Sequence, residues 1–167
     1  MCLFANISKA QRVRRPITCY KSVTYDKRRD GDGSKDMVFL SAFQDFEYRP
    51  GHAYYEPAFE REVPHRVVSY GFHSHGWEKV AEDESKSCFA DVMLECRIPA
   101  GAMYYRGDTK DNTDFCSDII VITAWKYPYN KEWHRVRTGI VVKPFLLRAS
   151  DRLKKRVKGI LKRLSKH

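Results

Sequence analysis

Between residues 88 and 98 the chain alternates with a period of two. Cys88, Ala90, Val92, Leu94, Cys96 and Ile98 are small or apolar, and Phe89, Asp91, Met93, Glu95 and Arg97 stand between them. Successive side chains of a strand point to opposite faces, so this pattern predicts a strand with one face on a core. That face accounts for Cys88 and Cys96 as small buried hydrophobes, without any chemistry. The same alternation runs through 17–25, with Ile17, Cys19, Val23 and Tyr25 on one side and Thr18, Tyr20, Ser22 and Thr24 on the other. By contrast 117–123 holds an unbroken apolar run, Ile119 to Ile122, as expected of a strand covered on both faces.

Around these three segments the weaker signals fall into place. Strands are predicted over 37–46, 67–73, 103–105 and 136–142, the last ending before Pro144. Turns are expected at 26–36, with Asp30-Gly31-Asp32-Gly33, at Arg49-Pro50-Gly51, at Gly76, at 108–114 and at 127–130, where glycine, proline and aspartate tolerate tight backbone geometry. Trp77, Val80 and Ala81 have helical spacing and predict one short helix over 77–86. The resulting fold class is α+β: a mixed or mainly antiparallel sheet of about five to seven strands, one short internal helix and a C-terminal basic amphipathic helix. A length of 167 residues fits one domain. The 22 aromatics (9 Phe, 10 Tyr, 3 Trp) supply an ample core.

The C-terminal helix is predicted from Ser150, a good cap, followed by Asp151 at the positive end of the helix dipole. Leu153, Val157, Ile160, Leu161 and Leu164 then form one stripe, weakened by Gly159, and the other face is nearly all Lys and Arg. Charge divides the chain accordingly. Of the net +10, residues 1–15 carry +4 and residues 151–167 carry +7, leaving about −1 for the body. The division predicts a basic N-terminal arm (1–15), a single domain (16–148) and a cationic helix (149–167). Basic ends on a neutral body point to nucleic acid or another polyanion as partner. The candidate phosphate-neutralising residues are Arg12, Arg14 and Arg15 at one end, and Arg152, Lys155, Arg156, Lys158, Lys162 and Arg163 at the other. The same helix could instead dock its stripe on a protein partner, pack on its own sheet or lie on an anionic membrane surface, the last weakened by the stripe's lack of an aromatic anchor. Solvated tails are the bland alternative.

The remaining chemistry-bearing residues allow structural and functional readings. In a strand His73 and His75 share a face, so both imidazoles could meet a ligand or metal, with His52 and His65 as further candidates; an incidental pair at a solvated strand end is the commoner case. Lys21 interrupts an apolar face, either snorkelling from a sheet edge or held as a buried cation for an anionic ligand. Tyr20, Lys21, His73 and His75 together form the candidate pocket for such a ligand, a nucleotide for example. Cys2 lacks the signature of a nucleophile's partners. There is no CxxC pair, Gly-rich phosphate loop, HExxH or GxSxG, and the turn at Asp30 lacks the downstream glutamate of a calcium loop. No cofactor or metal is expected. Five irregularly spaced cysteines, a short N-terminal apolar stretch and the want of a membrane-length apolar run predict a cytoplasmic protein, or one made in a cytosol.

Four stretches carry a resemblance: Cys19-Tyr20-Lys21; Gly71-Phe72-His73-Ser74; Ile98-Pro99-Ala100-Gly101-Ala102-Met103-Tyr104-Tyr105-Arg106-Gly107; and Ser117-Asp118-Ile119-Ile120-Val121-Ile122. Over roughly 17–123 the chain resembles a set of uncharacterised small proteins of gut Bacteroidota and their phages. That likeness implies a phage-associated origin, in a host cytoplasm or associated with a virion, and imports no activity. The Ile-Pro-x-Gly turn before a late strand is also similar to ADP-ribosyltransferase-like folds. Those folds carry a catalytic glutamate on that strand, and here it holds none. Together these features predict a non-enzymatic accessory or structural protein of the phage type.

Overall fold

In the computed structural model the residues described are 3–26, 37–41, 46–108, 114–128 and 130–136, with the backbone of 141–144. The strands are β1 (Leu3–Phe4), β2 (Gln11–Arg12), β3 (Ile17–Tyr25), β4 (Phe39–Ser41), β5 (Glu47–Tyr48), β6 (His52–Tyr55), β7 (Val67–Val68) and β8 (Phe72–His75). The helix α1 (Glu78–Ser87) follows, then β9 (Val92–Ile98), β10 (Met103–Arg106), β11 (Asp114–Ser117), β12 (Ile119–Lys126), β13 (His134–Arg135) and β14 (Val141–Pro144). The predicted C-terminal helix, with Arg152, Lys155, Arg156, Lys158, Lys162 and Arg163, lies outside the described residues, as do Cys2 and the turn at Asp30.

Among the described residues the fold is strand-rich α+β with one helix. The main sheet runs β14-β6-β12-β9-β3-β8-β11-β10-β2, with β13 added to β12 and the β4–β5 pair added to β3. A separate ribbon joins β1 to β7. All pairs are antiparallel except β14 with β6. There are more strands than the five to seven expected. The surplus comes from two-residue pieces such as β1, β2, β5, β7 and β13, too short to show a period.

The three legible segments form the centre: β3 pairs with β9 from Ile17↔Ile98 to Val23↔Val92, and β9 pairs with β12. Cys19, Val23, Val92, Leu94, Cys96, Ile98, Ile120 and Ile122 are sealed in the main core with an aromatic group of Phe46, Tyr48, Tyr54 and Phe72. Met93, on the polar side of the alternation, is nevertheless fully buried. Helix α1 covers the face that carries Ser22, whose hydroxyl donates to the Ala81 carbonyl.

Two predicted strands are interrupted. In 67–73, Gly71 takes φ 140°, and the chain breaks between β7 and β8. A Cβ at Gly71 would stand 2.5 Å from Cys116 Sγ. In 88–98 the strand starts only at Val92, because 88–90 terminate α1: Phe89 adopts φ 54° and the Ala90 amide donates to the Ser85 carbonyl at 3.0 Å. This is the left-handed helix ending usually given to glycine. Cys88 is therefore the helix cap and not a member of the buried strand face.

Residues 3–13 do not hang free as an arm. Ala5 and Asn6 amides donate to the Arg66 and Arg106 carbonyls, and Val13 exchanges bonds with Ala102 and Gly101. The physical reason is apolar: Leu3, Ala5 and Val13 are buried, and the cations occupy the exposed positions between and beyond them.

Candidate functional site

The segment 11–17 leaves one anchored residue among exposed cations. Val13 is buried, its amide donating to Ala102 O at 2.9 Å and its carbonyl accepting from Gly101 at 2.8 Å. Pinned there, the chain turns Arg12, Arg14 and Arg15 outward, and all three are exposed. Pro16 then ends the segment before β3. Across from it Tyr104 pairs in register with Gln11 and packs its half-buried ring 6.0 Å from Phe115. An open groove of about 680 Å³ results, lined by Gln11 to Arg15 with Ile17 and Tyr104. Among the described residues none of the three arginines enters an ion pair. Three uncommitted guanidiniums beside an aromatic ring can hold phosphate oxygens and offer a face to a base.

The second group predicted from the sequence, Tyr20, Lys21, His73 and His75, is also brought together. Tyr20 and His75 are register partners where β3 meets β8, and the Lys21 ammonium donates to the His73 carbonyl. Their chemistry is largely committed to one another and to neighbours. The Lys21 ammonium also stands 5.5 Å from the Tyr48 ring, and burial lowers its pKa. His73 Nε2 lies 3.6 Å from Cys116 Sγ, and burial, reinforced by the Lys21 charge, pushes its pKa down to about 4. It is a neutral ring at physiological pH.

His75 behaves in the opposite way. Burial works against its charge, but Asp114 (2.7 Å from Nδ1) and Glu84 (2.9 Å from Nε2) overcome that and raise its pKa to about 9. The imidazolium thus ties β8 to β11 and to α1. Burial pushes the Glu84 carboxyl up, yet His75 holds it below its ordinary value. The Tyr20 hydroxyl is made less acidic by burial and then by Glu95, and its ring packs 6.0 Å from Trp133.

The two histidines therefore share a face without sharing a partner. Among the described residues no group of three His, Cys, Asp or Glu is placed to hold a metal ion. His52 bonds the Pro50 carbonyl at 3.0 Å and stacks on Tyr54, and His65 is exposed elsewhere. Among the described residues no helix is long and apolar enough to cross a membrane.

Sequence reasoning missed Tyr104 as a groove residue and Asp114 and Glu84 as the partners of His75. The carboxylates lie 39 and 9 residues from His75, and no local pattern connects them. No protein-family model, curated protein or solved structure matches the chain.

Proposed function

We propose that this chain binds nucleic acid through its basic groove, as a non-enzymatic accessory or structural protein of the phage type. The observation that carries the reading is the groove at 11–17, where Arg12, Arg14 and Arg15 face solvent beside Tyr104. Arginine presents a planar fork of donors that matches phosphate oxygens, and such contacts position a nucleic acid without reading its sequence. Arg152, Lys155, Arg156, Lys158, Lys162 and Arg163 would add a second set of phosphate contacts. The alternative is that this segment docks its apolar stripe on a protein partner or lays its basic face on an anionic membrane.

A nucleotide-like anionic ligand at Tyr20, Lys21, His73 and His75 is less well supported. The ammonium there already serves a carbonyl and an aromatic ring, and the imidazolium is neutralised by two carboxylates. The test is fluorescence anisotropy with labelled single-stranded and duplex oligonucleotides of mixed sequence. One variant changes Arg12, Arg14 and Arg15 to Ala; another changes the six C-terminal cations to Gln. The reading requires the groove variant to bind at least ~10-fold more weakly, the equivalent of about 1.4 kcal/mol. Unchanged affinity in the groove variant refutes it.

A further inference from the structure

At the centre of the sheet β3 and β9 set two free thiols face to face. Cys19 and Cys96 are register partners in an antiparallel pair, and both are completely buried. Residues directly opposite in such a pair have Cα atoms about 4.5 or about 5.5 Å apart, depending on the pair type. Either spacing falls within the roughly 4.4–6.8 Å over which a disulfide closes. Direct opposition also puts both side chains on one face. No large backbone movement separates the dithiol from a disulfide.

The surroundings distinguish the two sulfurs. Lys21 lies two residues along β3 on the same face, and Ser74 Oγ is buried with no hydrogen-bond partner of normal geometry. Burial pushes the Cys19 thiol up, but the neighbouring Cys96 thiol, the Ser74 hydroxyl and the charge of Lys21 more than offset it and lower its pKa. Burial and the neighbouring Cys19 push Cys96 well above its ordinary value. An acidic thiol beside a less acidic one is the arrangement in which the first reacts and the second resolves. The buried hydroxyl of Ser74, otherwise unexplained, gains an anionic acceptor when Cys19 ionises.

We propose that Cys19 and Cys96 are a redox pair that closes to a reversible cross-strand disulfide with hydrogen peroxide, an oxidant small enough to enter the core. The Cys19 thiolate attacks one peroxide oxygen, the O–O bond breaks, and sulfenic acid forms as hydroxide leaves and takes up a proton. The Cys96 sulfur then displaces that oxygen as water, its thiol proton going with it. Overall two thiols and one peroxide give one disulfide and two waters; sulfur is oxidised and oxygen reduced. A dithiol reductant reverses the bond by exchange. Among the described residues Cys88, at the end of α1, and Cys116, beside His73, have no cysteine opposite them in register.

The experiment treats the folded full-length chain with hydrogen peroxide, quenches it with an alkylating agent and digests it without reduction. The expected result is a peptide linking Cys19 to Cys96, an intact mass lower by two hydrogens, and return to the dithiol with dithiothreitol. In Cys96→Ser the link is lost and Cys19 is trapped as sulfenic acid by dimedone. Mapping of the unmutated chain decides the matter even if that variant fails to fold. The proposal is overturned if Cys19 and Cys96 stay reduced at a peroxide level that oxidises Cys88. It is equally overturned if either sulfur is found joined to another cysteine.

Discussion

Replacing His75 by glutamine removes a charge while keeping a hydrogen-bonding side chain of similar reach, and the cost is calculable. His75 is held between Asp114 and Glu84 with 15% of its side chain exposed, so solvent screens the cluster little. Its pKa rises from 6.5 to about 9 on folding. A folded-state pKa raised above the unfolded one means that the fold favours the protonated ring. The stabilisation is complete below pH 6.5 and disappears as pH climbs through about 9. Its size is about 3 kcal/mol at low pH and roughly 2 kcal/mol near pH 7.5.

The assay is urea unfolding followed by tryptophan fluorescence, for both chains, at about pH 6, 7.5 and 9.5. Lys21, His73, Cys116, Asp114 and Glu84 also face this region and are present in both chains; between about pH 6 and 9.5 the pH-dependent part of the difference follows mainly the ring that was replaced. The wild-type chain should exceed His75→Gln by about 3 kcal/mol at the lowest pH, with the gap shrinking strongly by the highest. A gap independent of pH would show that His75 acts through packing alone and would refute the reasoning.

Two further predictions concern backbone geometry. Phe89 is 91% exposed and sits at φ 54°, so it bears the left-handed penalty without burial in return; Phe89→Gly should stabilise the chain by about 1 kcal/mol in the same unfolding assay. Gly71 has φ 140° with Cys116 Sγ in the space a Cβ would take; Gly71→Ala should destabilise by about 2 kcal/mol or more, and an unchanged midpoint would show that β8 and β11 can separate at no cost.

How much could be read from the sequence depended on the length of each signal. The strands β3, β9 and β12 are long enough to show alternation or an unbroken apolar run, and α1 shows helical spacing. Where prediction failed, one residue overrode a local pattern. Gly71 broke the strand expected over 67–73 into β7 and the start of β8, and Phe89 turned what looked like the start of β9 into the end of a helix. The N-terminal segment read as an arm because its charge is dense, while Leu3, Ala5 and Val13 are too sparse to signal a strand. Their burial is a tertiary fact. The arginines of the groove were legible as charge; the ring of Tyr104 beside them was not, because it arrives from a strand some ninety residues away in the chain. His73 and His75 were legible as sharing a face, but their opposite protonation is set by burial and then Lys21 on one side and by Asp114 and Glu84 on the other.

The most direct test of nucleic-acid binding at the groove is the salt dependence of affinity for a mixed-sequence duplex. It compares the full chain with Arg12→Ala/Arg14→Ala/Arg15→Ala. Each phosphate contact releases counterions and contributes about 0.9 to the slope of log K against log salt, so loss of three contacts should flatten it by up to about 2.7. A slope that falls by at least about 1 in the triple variant, with folding intact, is the predicted result. Identical slopes and affinities for the two chains would contradict the account, because no phosphate would then rest on the groove.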